Sequence, residues 1–134
     1  MKKVIKKPTK NKLKSLSSLE KKLWKLFSIF IRKRDAIIDG EYVKCITCGK
    51  VKHWKEVDAG HWITRGCKAT KFDERNVHAQ CKQCNKWGSG KPAIHENKII
   101  EMYGVEVRDE LLALSKTTKK FNRYELEELI ERYK

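Results

Sequence analysis

The sequence predicts an α+β fold, a small metal-stabilised core of short strands with one helix before it and several after it. Three observations predict it. Two Cys-x-x-Cys pairs, Cys45/Cys48 and Cys81/Cys84, bracket residues that read as short strands and turns. An apolar stripe at helical spacing precedes them, and three more helical patterns follow. The 134 residues (15.8 kDa) leave room for one modest domain with appendages. The chain divides into a disordered basic arm (1–16), an amphipathic helix (17–38), a zinc-stabilised module (43–95) and a helical region (96–134).

Taken in order, residues 1–16 are Lys-rich, contain Pro8 and show little periodicity, which is the composition of a solvated arm. In the helix, Ser17 and Glu20 form a capping-box pattern. Leu19, Leu23, Leu26, Phe27 and Phe30 then recur at helical spacing, with Trp24 and Ile31 widening the stripe. Arg32, Lys33 and Arg34 suit the negative end of the helix dipole, and Asp39-Gly40 breaks the helix. Cys45-Ile46-Thr47-Cys48-Gly49 reads as a knuckle. Val57–Ile63 and Asn76–Gln80 read as short strands, with Thr64–Thr70 as a loop. A helix or turn runs through Trp87 to Gly88-Ser89-Gly90, and Trp54, Trp62 and Trp87 read as core around the knuckles. Pro92 fits a first helical position and Gly104 a helix stop. Val107, Leu111, Leu112 and Leu114 mark a further helix, and Asn122 with Glu125 caps the last one.

Net charge is +15 with a pI near 9.7. The charge is uneven: residues 1–34 hold thirteen Lys and Arg against one acid, Glu20, whereas 93–134 are nearly balanced. Lys and Arg gain affinity for a polyanion by releasing the counterions condensed on its phosphates, so a nucleic acid is the expected partner. The run Leu23–Ile31 is interrupted by Lys25 and Ser28 and is far shorter than the roughly 20 apolar residues of a membrane span. No secretory signal is visible, so a cytoplasmic protein with no membrane partner is expected. In a reducing compartment, paired cysteines favour metal over disulfides.

Two residues between paired cysteines let both sulfurs reach one ion, and two such pairs complete the tetrahedral four-thiolate shell that zinc prefers. A closed shell leaves no open position, so the Zn²⁺ held by Cys45, Cys48, Cys81 and Cys84 is expected to be structural. Cys67 is left over. Chemistry is then expected from the polar residues between the pairs: Asp58, His61, Asn76, His78 and Asn85. Phosphodiester cleavage needs a base to activate water and a cation on the phosphate. A neutral His is the usual base, and Asp and Asn oxygens suit Mg²⁺. Taken singly, each has a plainer use, His61 as a structural imidazole and Asn76 and Asn85 as turn or helix caps.

The stretch Asp58-Ala59-Gly60-His61 … Asn76-Val77-His78-Ala79-Gln80-Cys81-x-x-Cys84-Asn85 resembles an HNH endonuclease of the ββα-metal type with zinc-binding Cys-x-x-Cys pairs. More narrowly it is similar to the NinG/Rap family of lambdoid phages, proteins linked to phage recombination and branched DNA. The preceding Lys22-Leu23-Trp24 and Ile31-Arg32-x-Arg34-Asp35-Ala36 share in the resemblance, which covers roughly residues 20–95. It implies a ββα-metal core and a metal-dependent DNA endonuclease in a phage or prophage setting. His61 would be the general base, Asn76 the brace of the loop, and Asn85 a ligand of a catalytic Mg²⁺ or Mn²⁺. Many HNH enzymes carry an acid or His directly before the base, and here that residue is Gly60. Asp58, two residues earlier on the same strand face, is the substitute ligand. His78 shares the face of Asn76, as a third ligand, a phosphate contact or a partner of Asp58. Lys68, Lys71 and Arg75, with Arg32, Lys33 and Arg34, are expected on the DNA backbone. A lone site makes one nick, so paired cuts would need a homodimer. The competing readings are a non-catalytic zinc-dependent nucleic-acid-binding module and an interaction protein docking through its helices.

Overall fold

The computed structural model describes residues 13–134, so most of the expected basic arm lies outside the described residues. Helix α1 spans Leu16–Arg34. Its cap is Ser15, whose side-chain oxygen accepts from Ser18 N at 3.0 Å, so the Ser17–Glu20 capping box is corrected. Ser17 lies inside the first turn, and Glu20 reaches across the molecule to Lys71 (2.6 Å) and Lys68 (2.9 Å). The helix also stops at Arg34, short of the expected residue 38. Asp35 caps it, and its carboxylate accepts from Ala79 N at 2.8 Å. Every fourth residue from Leu19 (Leu23, Phe27 and Ile31) is buried, while Leu26, Phe30 and Trp24 flank that line half-buried.

After a left-handed turn at Asp39 (φ 53°) and Gly40 (φ 70°), strands β1 (Tyr42–Lys44) and β2 (Val51–His53) pair antiparallel, with Tyr42 opposite His53. The first cysteine knuckle is the loop of this hairpin. A 3₁₀ turn, Trp54–Glu56, leads into β3 (Val57–His61), which pairs antiparallel with β4 (Val77–Cys81), Gly60 standing opposite His78. The short helix α2 (Lys68–Lys71) lies in the connection between them. β4 runs into a single π-helical turn, Gln83–Trp87, and then into α3 (Pro92–Tyr103), α4 (Val105–Ser115) and α5 (Arg123–Tyr133). Pro92 occupies the first turn of α3, Gly104 (φ 96°) ends it, and Asn122 with Glu125 forms a complete capping box on α5, all as the sequence indicates.

The main core forms where α1 packs between the β3–β4 hairpin and α5. Leu19, Leu23, Phe27 and Ile31 of α1 meet Ala59 and Val77 of the β3–β4 hairpin on one side and Leu126, Ile130 and Tyr133 of α5 on the other. At roughly 25 cal/mol per Å² of apolar surface, this packing is what fixes the hairpin against α1. A second cluster of Ala36, Val43, Val57 and Ala79, with Trp54 against it, joins the two hairpins. Trp54 thus packs against core, and Trp62 is half-buried, but Trp87 is 83 % exposed and belongs to no core. No helix among the described residues is long and apolar enough to cross a membrane.

Candidate functional site

The four paired cysteines converge, with their Sγ atoms all within 4.8 Å of one another. A tetrahedral zinc with Zn–S bonds of about 2.3 Å puts neighbouring sulfurs about 3.8 Å apart. Cys48 Sγ and Cys81 Sγ stand 3.7 Å apart, so the cage could hold a metal such as zinc. Backbone donors already serve the sulfurs. Cys45 Sγ accepts from Cys48 N (3.4 Å) and Cys81 N (3.3 Å), and Cys81 Sγ accepts from Cys84 N (3.4 Å). Burial opposes ionisation of Cys45, but these N–H groups and the Thr47 hydroxyl outweigh it and bring the thiol down to about 6. Burial pushes Cys84 up to about 12. Metal binding would therefore have to displace protons from the cage, as thiolate sites generally do.

Gln80 links the cage to the neighbouring turn. Its Nε2 donates to Thr47 Oγ1 (3.0 Å) and to the Gly90 carbonyl (2.9 Å). Its Oε1 lies against Gly60, where a Cβ would collide with it and come within 3.0 Å of the Gln80 Cβ. A side chain at position 60 would thus require Gln80, the glutamine that braces the knuckle, to shift.

Beside the cage opens a cleft of about 620 Å³ between α1, β3 and the turn after β4, lined by Asp58, His61 and Asn85. Asp58 Oδ2 accepts from Asn85 Nδ2 at 3.0 Å, and Oδ1 from Lys82 Nζ at 2.7 Å. Burial resists the charge on Asp58, but these two contacts and the field of Lys82 and Lys86 prevail and hold its pKa below the ordinary carboxylate value. His61 Nε2 lies 2.9 Å from the carbonyl of Lys71. A carbonyl can only accept, so Nε2 carries the hydrogen and Nδ1 keeps its lone pair. The ring lies 5.1 Å from Trp24, centroid to centroid. Burial lowers the His61 pKa to about 4, against the pull of the Lys71 carbonyl and with the help of the charges on Arg65 and Lys71. The imidazole is neutral at pH 7. Asn76 is fully buried; its Oδ1 accepts from Ile63 N (2.8 Å), and its Nδ2 donates to the carbonyls of Ile63 (3.0 Å) and Thr70 (3.2 Å). It closes the loop that carries the Lys71 carbonyl.

The family model described as "Bacteriophage Lambda NinG protein" matches residues 1–134. The chain belongs to the NinG family. Over 100 residues, 74 % of this chain, it is 35 % identical to protein ninG of Salmonella phage P22 and 34 % identical to protein ninG of Escherichia phage lambda. Those residues are 46 % of each relative, so the chain spans about half the length of the curated NinG proteins it matches. No solved structure matches it.

Within this NinG chain the structure brings Asp58, His61 and Asn85 into one cleft and puts Asn76 behind it, but it sends His78 elsewhere. His78 is buried, with Nδ1 2.9 Å from His95 Nε2 and Nε2 3.0 Å from Tyr103 Oη. It ties β4 to α3 and does not line the cleft, so it is corrected from metal ligand to structural link. The basic residues also divide. Lys68 and Lys71 pair with Glu20, and Arg75 with Asp73 (2.9 Å) and Glu110 (2.8 Å). Arg34 donates to the carbonyls of Glu74 and Val77, both at 2.8 Å. These four are held by partners within the fold, and none of them lines the cleft. Arg32 lines the cleft, and Arg32 and Lys33 lie 5.4 Å and 5.2 Å from the Trp54 ring. Sequence reasoning missed Lys55, Arg65, Lys82 and Lys86, which also line the cleft. Lys82 and Lys86 could have been found from their place directly around Cys84-Asn85. Cys67 donates to the Ser115 carbonyl at 3.6 Å, docking the α2 loop on α4.

Proposed function

We propose that this protein is a metal-dependent endonuclease that hydrolyses phosphodiester bonds of DNA, with branched or recombination-intermediate DNA in phage recombination as its substrate. One observation carries the reading. His61 is neutral, turned by the Lys71 carbonyl so that Nδ1 can accept a proton, and shares its cleft with the Asp58–Asn85 pair. Family membership supports the phage setting.

One Asp58 oxygen and the amide oxygen of Asn85 suit a hard cation that keeps several waters, so they would hold Mg²⁺ or Mn²⁺. When bound, that ion supplies Lewis acidity at the scissile phosphate and its leaving oxygen. His61 takes a proton from water onto Nδ1 as the water oxygen bonds to phosphorus and the bond to the leaving oxygen breaks. Asn76 keeps the Lys71 carbonyl in register with the His61 ring. Lys82 gives up Asp58 for the phosphate, and Lys55, Arg65 and Lys86 hold the flanking backbone without reading sequence. A single cleft makes one nick; paired cuts would require two copies.

The Lys82–Asp58 contact favours a second reading, because an acid already neutralised by a lysine suits a non-catalytic zinc-dependent nucleic-acid-binding module. Cleavage of linear, flapped, looped and four-way DNAs with Mg²⁺ or Mn²⁺ separates the two. The parent protein should cut, and His61→Ala should cut about 10²–10⁴-fold more slowly while binding equally well. Absence of cutting on every substrate would leave the binding module; equal cutting by the variant would remove His61 as the base.

A further inference from the structure

A second hollow, of about 1290 Å³, adjoins the cleft, and Trp24 and Arg65 line both. Three separate segments surround it with positive charge. Helix α1 contributes Lys21 and Lys25, the α2 segment Lys68 and Lys71, and the connection between α4 and α5 Lys120 together with Lys119, which pairs with Glu125 at 2.6 Å. Glu20 is the one acid among its lining residues, and it is held by Lys68 and Lys71. Lys21, Lys25, Arg65 and Lys120 form no ion pair among the described residues. Cations gathered from elements far apart in sequence, around a concave surface, raise the local potential for a polyanion more than the same charges scattered over a convex one. The hydroxyls of Thr117 and Thr118 at its edge are the neutral contacts that phosphate oxygens also take.

We propose that this second hollow binds the sugar–phosphate backbone of the nucleic acid beyond the cut, so that the substrate lies across both hollows and passes over Trp24 and Arg65. The inference rests on reading the first cleft as the place of cleavage. Lysine ammonium groups act here as point charges, so the contact is independent of sequence and dependent on length and salt. A substrate too short to leave the cleft gains nothing from the second hollow; a longer one gains a set of released counterions.

The test is the triple variant Lys21→Gln, Lys25→Gln, Lys120→Gln in the full chain, all three side chains being exposed. Binding of a labelled duplex several helical turns long is titrated across salt concentrations, beside a duplex shorter than one turn. On the long duplex, the slope of log K against log salt should become shallower by about 2–3, with affinity at low salt falling at least about tenfold. On the short duplex, affinity should be unchanged, and the cutting rate at saturating long DNA should match the parent. A parental slope on the long duplex would overturn the proposal, as would an equal loss on both lengths. Polyglutamate is the control for an acidic protein segment; if the triple variant loses affinity for polyglutamate at equivalent charge concentration but keeps that for long DNA, the hollow is not a nucleic-acid site. If the parent cuts nothing but the slope shifts as expected, the cleavage reading fails and the second hollow stands.

Discussion

Asn76 is the residue on which the loop between β3 and β4 depends. It satisfies one backbone N–H and two carbonyls from a fully buried position. Asn76→Ala should cost on the order of 2–4 kcal/mol, read from the urea midpoint, because it leaves buried groups unpaired. Cleavage should fall with it, since the loop carries the carbonyl that turns His61. The bracing role came from the family resemblance, since the residue type and spacing alone left a turn cap equally open. His78 was not legible. Alternation along a strand gives the face of a side chain but not what packs against it, and here the occupant is His95, seventeen residues on. The charges of Lys68, Lys71 and Arg75 misled for a related reason. A basic residue in a sequence carries no sign of the acid that will meet it, and Glu20 lies some fifty positions away from its two partners.

At the level of elements, the β3–β4 hairpin is fixed by a side chain that crosses it. Gln80 fills the space in front of Gly60 and joins the knuckle to the turn at Gly90. Restoring the usual acid with Gly60→Asp should therefore destabilise the protein by about 1–3 kcal/mol, the ordinary cost of overpacking, and should lower cleavage. Adding Gln80→Ala should recover part of that stability in thermal unfolding, because it removes the clash; no recovery would mean that the clash is not the cause. The β3–β4 strand pair was legible to within two residues, and so were the start and stop of α3 and the cap of α5, since Pro92, Gly104 and the Asn122–Glu125 box are local signals. The start of α1 was not. Ser15 and Ser17 are equally good caps by type, and it is Ser15 whose side chain accepts from Ser18 N.

For the whole molecule, the cage and the buried histidines set the conditions under which the fold exists. Purified protein should carry about one zinc per chain, and a strong chelator should collapse near-UV dichroism, because metal binding in such small domains is worth roughly 10–16 kcal/mol. Cutting should then be lost, and excess Mg²⁺ alone should not restore it. Acid acts through a second route. Burial lowers His61 to about 4 and lowers His78 and His95 to about 3 each. Above the ordinary histidine value, about 6.5, folded and unfolded chains are both neutral there and nothing is lost. As pH falls below it, the unfolded chain takes up protons that the fold refuses, and stability declines until the folded values are reached. The urea midpoint should fall from pH 7 to pH 5, and a His78→Gln, His95→Gln variant with the same cage should fall less steeply.

Lys71 stands at the join between the two hollows. Its ammonium, paired with Glu20, lines the larger one, and its carbonyl receives the His61 hydrogen bond in the smaller. Whatever competes with Glu20 for that ammonium binds the same residue whose carbonyl accepts from His61. The two hollows therefore share one amino acid, which faces the larger with its side chain and holds the imidazole of the smaller with its carbonyl.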